Sequence, residues 1–299
     1  MPAPRLLFVN PPGPRYLYRG TICTYLSKAR YVWKPKDFIL ISGTIPPDWE
    51  VRFLDASIHR LDPEETLRRI DAERPDRIVL ALSSLHWEGD LAFLKRLRER
   101  QPKAHLTLFG EVLLEAAFLA QARPFADAVL LNPVQYSVEE KGFPGLDEKP
   151  LKAGKAVALG IPRHALFDNR RYRWPFNRRF RYAAVYTQYG CPYSCSYCTE
   201  ALTSVAWRPA EGILEELRML RRDGYRELHL GDASFGFPKP NAMRLLEGMV
   251  DGGMGFGWSA YTYPALADRD MLELMKASGC HTLVIGIDSA DFAMLRRYG

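Results

Sequence analysis

Strand-length apolar runs alternate with amphipathic stretches of helix length along both halves of this chain, and that alternation most limits the folds open to it. In the first half, strands are predicted at Arg5–Asn10, Val51–Asp55, Arg77–Ser84, His105–Phe109 and Ala128–Leu131. Helices are predicted from Asp62 to Glu73, from Glu88 to Arg100 and from Val112 to Ala122. Asp62-Pro63-Glu64-Glu65 reads as an N-cap, an N1 proline and an acidic first turn, and Pro75 closes that helix. Strands and helices alternating through short loops imply an α/β fold, a doubly wound parallel sheet with helices on both faces, over residues 1–134. Ligands of such sheets lie beyond the carboxyl ends of the strands. Here those ends carry Asn10, Pro11, Pro12 and Gly13, then Asp55 to Ser57, Ser83 and Ser84, Gly110 and Glu111, and Asn132-Pro133. Such small and polar residues suit a cofactor crevice and ordinary turns alike.

Over residues 135–181 the periodicity fades and Gly, Pro, Lys and Arg accumulate, which marks a connector. Arg170, Arg171, Arg173, Arg178, Arg179 and Arg181 are interleaved there with Tyr172, Trp174, Phe176 and Phe180. Basic and aromatic residues so mixed can form a platform for single-stranded nucleic acid. A docked connector with solvated arginines is the favoured reading, and nucleic acid is not expected as a partner. From residue 182 to 299 a second series begins, with strands at Tyr182–Tyr189, Glu227–Leu230, Phe256–Tyr261 and His281–Ile287. Helices are predicted at Ala210–Arg222, at Asn241–Val250 with Asn241 as its cap, and at Asp268–Ser278. Four βα repeats without hairpin turns imply part of a (β/α) barrel, with its chemistry at the carboxyl ends of the strands.

Apolar residues at 47% and charged residues at 25% are ordinary for a globular protein and exclude a wholly disordered or collagen-like chain. No apolar run is long enough to span a bilayer, and Met1-Pro-Ala-Pro-Arg5 leads into a strand rather than a signal peptide. A cytoplasmic location is expected. The net charge of +6 permits anionic partners without identifying one.

Three of the five cysteines, Cys191, Cys195 and Cys198, fall on one loop after the first barrel strand. An odd cysteine count in a cytoplasmic chain argues for metal or redox chemistry. Structural zinc takes four protein ligands, and His229 and Cys280 belong to other segments, so zinc or plain electron transfer stands as the lesser alternative. A cubane cluster held by three cysteines would leave one iron open to a small molecule. Gly190 and Pro192 suit a loop curled around such a cube. Cys23 and Cys280 are expected to be buried thiols, and His59, His86, His164 and His281 to be structural.

Cys-x3-Cys-x2-Cys with Tyr197 before the last cysteine resembles the radical S-adenosylmethionine (SAM) superfamily. Tyr186-Thr-Gln-Tyr-Gly190-Cys-Pro-Tyr-Ser-Cys195 resembles the corresponding segment of its cobalamin (B12)-binding branch. So do Gly160-Ile-Pro-Arg163, Tyr172-Arg-Trp-Pro175 and the N-terminal Asn10-Pro11-Pro12. The resemblance implies a Rossmann-like B12-binding-like domain followed by a partial radical SAM barrel. It implies a [4Fe–4S] cluster on Cys191, Cys195 and Cys198, with SAM on the open iron. Tyr197 would lie by the adenine. Gly231 and Asp232 stand where many relatives carry Gly-Gly-Glu for the SAM amino group, with helix capping as the alternative role for Asp232 and Asp288. Gly286, Asp288 and Ser289 match the fourth-strand element near the methionine and ribose, and Ser259 and Tyr261 could touch SAM or substrate. Cobalamin would sit against Asn10, Pro11, Pro12, Gly13, Ser83, Ser84, Gly110 and Glu111.

The sequence departs from the family in three places. Asp55-Ala-Ser-Ile-His59-Arg60 does not fit the Asp-x-His-x-x-Gly of His-on cobalamin enzymes. Leu131-Asn132-Pro133-Val134 replaces a Gly-Glu-Gly-Glu turn. About 100 residues follow Cys198, and at roughly 30 per βα unit they hold four strands where the superfamily usually has six. The expectation is a truncated barrel, either a piece of a longer enzyme or one completed by a partner chain. The implied activity is reductive cleavage of SAM with cobalamin-dependent methyl transfer to an unactivated carbon or phosphorus centre. The alternatives are a SAM-radical cyclase or rearrangement enzyme with a cobalamin-free lid, and a non-catalytic iron–sulfur or degenerate binding subunit. The implied partners are a small-molecule or peptide substrate and an electron donor such as flavodoxin or ferredoxin.

Overall fold

A computed structural model describes residues 3–22, 24–29, 31–136, 138, 154–168, 170–198, 200 and 205–298. Two units divide the chain: Met1–Glu148 with Arg163–Arg173, and Lys149–Pro162 with Trp174–Gly299. Cys23 lies outside the described residues, as does much of the expected connector. The described part of that connector is shared out, Arg163–Arg173 packing with the first unit and the flanking stretches with the second.

In the first unit, β1 (Arg5–Asn10), β2 (Glu50–Asp55), β3 (Arg77–Ala81), β4 (His105–Phe109) and β5 (Ala128–Leu130) form one sheet in the order β2-β1-β3-β4-β5. Every neighbouring pair is parallel. Side chains alternate across the pleat, so each strand feeds two cores. Leu7, Val9, Ile78, Leu80 and Leu108 pack with residues of α3 (Pro63–Glu73), α4 (Trp87–Arg100) and α5 (Ala116–Ala122). On the other face Phe38 of α1 (Lys36–Ser42) stacks among Phe8, Phe53 and Phe109, with ring centroids 4.8–5.4 Å apart. A short helix, α2 (Ala56–His59), follows β2 directly. This is the doubly wound order in which the connections reverse between β1 and β3. Asp62 Oδ1 accepts from Glu65 N at 2.8 Å, so α3 starts on the N-cap that the sequence implies. The helix expected over Val112–Ala122 is instead a 3₁₀ turn, Glu111–Leu114, and then α5, because Glu115 is extended at φ −96°, ψ 125°. Helix α1 has no amphipathic stripe to read, since Asp37 to Ser42 are all buried.

In the second unit, β6 (Ala183–Val185), β7 (Glu227–Leu230), β8 (Gly257–Tyr261) and β9 (Cys280–Val284) form a parallel sheet in the order β9-β8-β7-β6. Helices α6 (Ala210–Arg222), α7 (Lys239–Asp251) and α8 (Arg269–Ala277) cover one face through Ile213, Leu217, Leu245, Met271 and Met275. Strands that neighbour in chain order, each followed by a helix on the same face, are the repeat of a (β/α) barrel wall. The opposite face is polar, with His229, Ser259 and Thr282 side by side in register. Helix α9 (Phe292–Tyr298) ends the described chain. Asn241 does not cap its own helix, which begins at Lys239. Its Oδ1 accepts from Ala210 N at 3.0 Å and so holds the start of α6. The last strand stops at Val284, three residues short of the expected end, and Ile287 and Phe292 beyond it are 76% and 79% exposed. Among the described residues, no helix is long and apolar enough to cross a membrane.

Candidate functional site

The cysteine loop is launched by β6. After Val185 the chain turns through Thr187 into Gln188–Tyr189, which pairs antiparallel with Ala206–Trp207. Asp232, beyond the end of β7, fixes this turn. Its Oδ1 accepts from Thr187 N at 2.8 Å and Gln188 N at 3.0 Å, and its Oδ2 accepts from Thr187 Oγ1 at 2.6 Å. Gly190 then takes φ +77°, a left-handed conformation costly for other residues, and redirects the backbone into Cys191.

Cys191, Cys195 and Cys198 are unbridged and half-buried. Burial pushes the Cys191 thiol up, opposed by the Tyr193 amide and reinforced by Glu200 and the other two thiolates. The loop therefore disfavours its own thiolate unless positive charge is supplied. Among the described residues, no three His, Cys, Asp or Glu side chains converge on a single ion. Three thiols spread around one loop instead suit a cluster in which each sulfur holds its own iron.

The far end of the unit holds this loop in place. Ser196 N donates to Tyr298 O at 2.8 Å, Ser196 Oγ donates to Arg297 O at 3.3 Å, and the Tyr197 ring meets Tyr298 edge-on at 5.0 Å. The Asp288 carboxylate beside the Tyr197 phenol is the chief cause of its raised pKa, with Cys195 a smaller one. Asp288 sits at φ +58°, a rare conformation for a residue with a side chain, and Gly286 lies beside its carboxylate. Strained backbone of this kind concentrates at ligand sites. The structure thus brings Cys195, Tyr197, Gly286 and Asp288 together. Ser289 stands next to them, its Oγ accepting from Asp291 N at the start of α9.

Other expected residues are engaged within the unit. Asp232 is wholly buried, bonded to the turn and caps no helix. Gly231 lies under Tyr186, whose ring a Cβ would meet at 2.5 Å. Ser259 Oγ accepts from Trp174 Nε1 and donates to Asn177 Oδ1, both at 2.9 Å, and is enclosed by them. Tyr261 stands edge-on to the same tryptophan. Trp174 also stacks on His229 at 4.0 Å, and burial drives the His229 pKa down to about 3.

His229 therefore folds neutral but takes a proton once unfolded. Its contribution is intact above its unfolded pKa, near 6.5, and is lost as pH falls toward 3, at up to about 1.4 kcal/mol per pH unit. Denaturation of the second unit followed between pH 7 and 5 should show this slope, and His229→Gln should flatten it.

Sequence reasoning missed two atoms near the loop. Gln188 Oε1 and Ser234 Oγ are buried and find no hydrogen-bond partner among the described residues. Gln188 lies just ahead of Gly190-Cys191 and Ser234 just after Asp232, a proximity that pattern alone does not rank. Such orphaned acceptors leave room for a ligand's donors.

In the first unit, the strand ends proposed for cobalamin are knitted to one another. Arg19 donates to Asn10 Oδ1, to the carbonyls of Pro11 and Pro12, and to both oxygens of Asp90. Ser83 donates to Asp90 through N and Oγ, and Ser84 likewise to Glu111. A Cβ on Gly13 would lie 2.6 Å from Arg19 Nη2. Gly110, at φ +144°, passes so close to Leu82 that a Cβ would lie 2.1 Å from its carbonyl oxygen.

Residues 185–299 match the family described as the Radical SAM superfamily. An uncharacterized methyltransferase of Pyrococcus horikoshii is 27% identical over 56% of this chain and 33% of its own length. Tryptophan 2-C-methyltransferase of Streptomyces laurentii is 29% identical over 43% of this chain and 22% of its own. The chain thus spans a third or less of these curated relatives. Among solved structures, the radical SAM methyltransferase TsrM of Kitasatospora setae, with cobalamin and a [4Fe-4S] cluster bound, superposes on 99% of this chain and 62% of its own, with a TM-score of 0.63 and 16% identity. The cobalamin-dependent radical enzyme OxsB, with aqua-cobalamin bound, covers 99% of this chain at a TM-score of 0.63 and 14% identity. Both units therefore have the fold of the corresponding parts of those proteins.

Proposed function

We propose that this chain, whose residues 185–299 form a radical SAM domain, is part of an enzyme of the radical SAM methyltransferase type. The observation that carries the reading is the loop of three separated, half-buried cysteines set by Gly190 and braced by Asp232. Cys191, Cys195 and Cys198 would hold a [4Fe–4S] cluster, with SAM on the open iron. The bound cluster would supply the electron that cleaves SAM, and cobalamin in the first unit would carry the methyl group. Tyr197 would wall the adenine, its phenol oriented by Asp288, while Gln188 Oε1 and Ser234 Oγ offer acceptors for the N–H groups of the SAM amino group. Trp174, seated on Ser259 and His229, excludes water from the polar face of the sheet. The name of one relative, tryptophan 2-C-methyltransferase, supports an unactivated carbon centre as acceptor; a phosphorus centre as the other acceptor, a flavodoxin or ferredoxin as reductant and a cytoplasmic setting belong to the same reading.

A second reading, a SAM-radical cyclase or rearrangement enzyme with a cobalamin-free first unit, is favoured by one observation. Arg19 and Asp90 occupy the strand ends where cobalamin would lie.

Elemental analysis after anaerobic purification with cobalamin supplied, followed by product analysis with SAM and dithionite, tests both readings. About four irons per chain, stoichiometric cobalt, and S-adenosylhomocysteine alongside 5′-deoxyadenosine are expected for the first. Iron without cobalt, and 5′-deoxyadenosine alone, would replace it by the second. Zinc in place of iron would overturn both.

A further inference from the structure

The turn that leads into the cysteine loop is gripped from two sides, and Asp232 supplies one of them. It takes the amides of Thr187 and Gln188. The carbonyls of the same turn go to Arg208. Its N donates to Thr187 O at 2.8 Å, and its Nη1 donates to Tyr186 O at 3.0 Å.

Arg208 is itself fixed. Its Nη2 donates to Glu216 Oε2 of α6 at 2.5 Å, and its carbonyl accepts from Asn241 Nδ2 of α7 at 2.9 Å. The Arg208 and Glu216 side chains are 3% and 0% exposed. Immediately before Arg208, Ala206–Trp207 pairs with Gln188–Tyr189. Strand pairing and guanidinium together clamp the chain from Tyr186 to Tyr189.

A buried ion pair adds little stability over an apolar pair of similar volume. What a guanidinium adds is a rigid planar fork, whose N–H groups reach a carbonyl and a carboxylate at once in fixed directions. Here the fork ties the main chain beyond β6 to the helix layer. Between this turn and Cys191 stand only the paired Gln188–Tyr189 and Gly190, which is set at φ +77°. The position of the clamp is therefore handed on to the first cysteine.

We propose that Arg208, anchored by Glu216, is a positioning residue for the cysteine loop. It fixes where Cys191 lies, and so how a cluster held by the loop meets SAM. The inference rests on the radical SAM reading of that loop.

Three variants of the whole chain test it after anaerobic cluster loading. Arg208→Lys keeps the charge and loses the fork. Arg208→Met with Glu216→Leu removes both charges, keeps the volume and also loses the fork. Leu217→Ala opens the core behind α6 and leaves the fork in place. The two fork variants should retain about four irons per chain. They should yield at least about tenfold less 5′-deoxyadenosine per cluster, the range for loss of a partner behind a metal ligand. The change that SAM makes in the electron paramagnetic resonance spectrum of the reduced cluster should shrink with it. In the iron-free protein, amide exchange over residues 186–190 should quicken at least about threefold. Leu217→Ala should lower the thermal midpoint and leave the spectrum, the yield per cluster and that exchange unchanged. Wild-type spectra and yields in both fork variants would overturn the proposal. So would equal losses in Leu217→Ala, which would make the effect one of general stability. A wild-type chain that takes up no cluster would sink the reading of the loop, and the positioning role with it.

Discussion

Replacing Cys195 with alanine should abolish the iron–sulfur absorbance and lower SAM cleavage by more than about two orders of magnitude. Loss of an outer-shell partner costs a metal site only about 10–100-fold. The larger effect is expected because Cys195 is the middle thiol of three on one loop and would ligate an iron directly. The substitution should leave the fold intact. Cys195 is half-buried, and the loop is tied down by main-chain and neighbouring groups, Cys198 N to Cys195 O at 3.0 Å and Ser196 N to Tyr298 O at 2.8 Å. Cys280→Ala is the control. Burial pushes that thiol up to about 11, which keeps it protonated on β9, so iron content and SAM cleavage should both survive. Iron retained in the Cys195 variant at wild-type level, with cleavage unimpaired, would sink the assignment of the loop.

What the sequence made legible was local chemistry. Strand and helix periods, the Asp62 cap and the cysteine spacing all lie within a few residues of one another, and the fold reproduces them. Burial over long separations was not legible. Asp232 and Ser259 sit at strand ends or on strands where a ligand would be met, yet each is claimed by a partner 45 or 85 residues away, Thr187 and Trp174 respectively. Asn241 looks like a cap by its position, but it serves a different helix 31 residues earlier. Trp174 and Tyr172 are near neighbours in one basic run. Their opposite allegiances, to the second unit and the first, depend on which polar partner each can reach in the folded chain. The same limit hid Gln188 and Ser234, whose interest lies in what they lack.

Asp90→Ala should destabilise the first unit by about 3–5 kcal/mol, the usual cost of breaking a buried ion pair from one side. Arg19 and Asp90 side chains are 1% and 0% exposed, and their closest contact is 2.6 Å. Removing the carboxylate strands a guanidinium that cannot be deprotonated, and it takes away the acceptor of Ser83 N and Oγ. Arg19→Met alone should be similarly harmful, leaving a buried carboxylate with only the Ser83 donors. The double variant, Arg19→Met with Asp90→Ala, should be less damaging than the sum of the two, because neither partner is then left as an unpaired buried charge. It should not recover fully, since the Pro11 and Pro12 carbonyls lose the donors that Arg19 supplies. Urea denaturation of the four proteins at two salt concentrations measures this. Additive single effects, or a cost below about 1 kcal/mol as for an exposed pair, would mean that solvent reaches Arg19. The strand ends at Asn10–Gly13 and Ser83 would then be open to a ligand, whereas strong coupling insensitive to salt means that a ligand must displace this pair to enter.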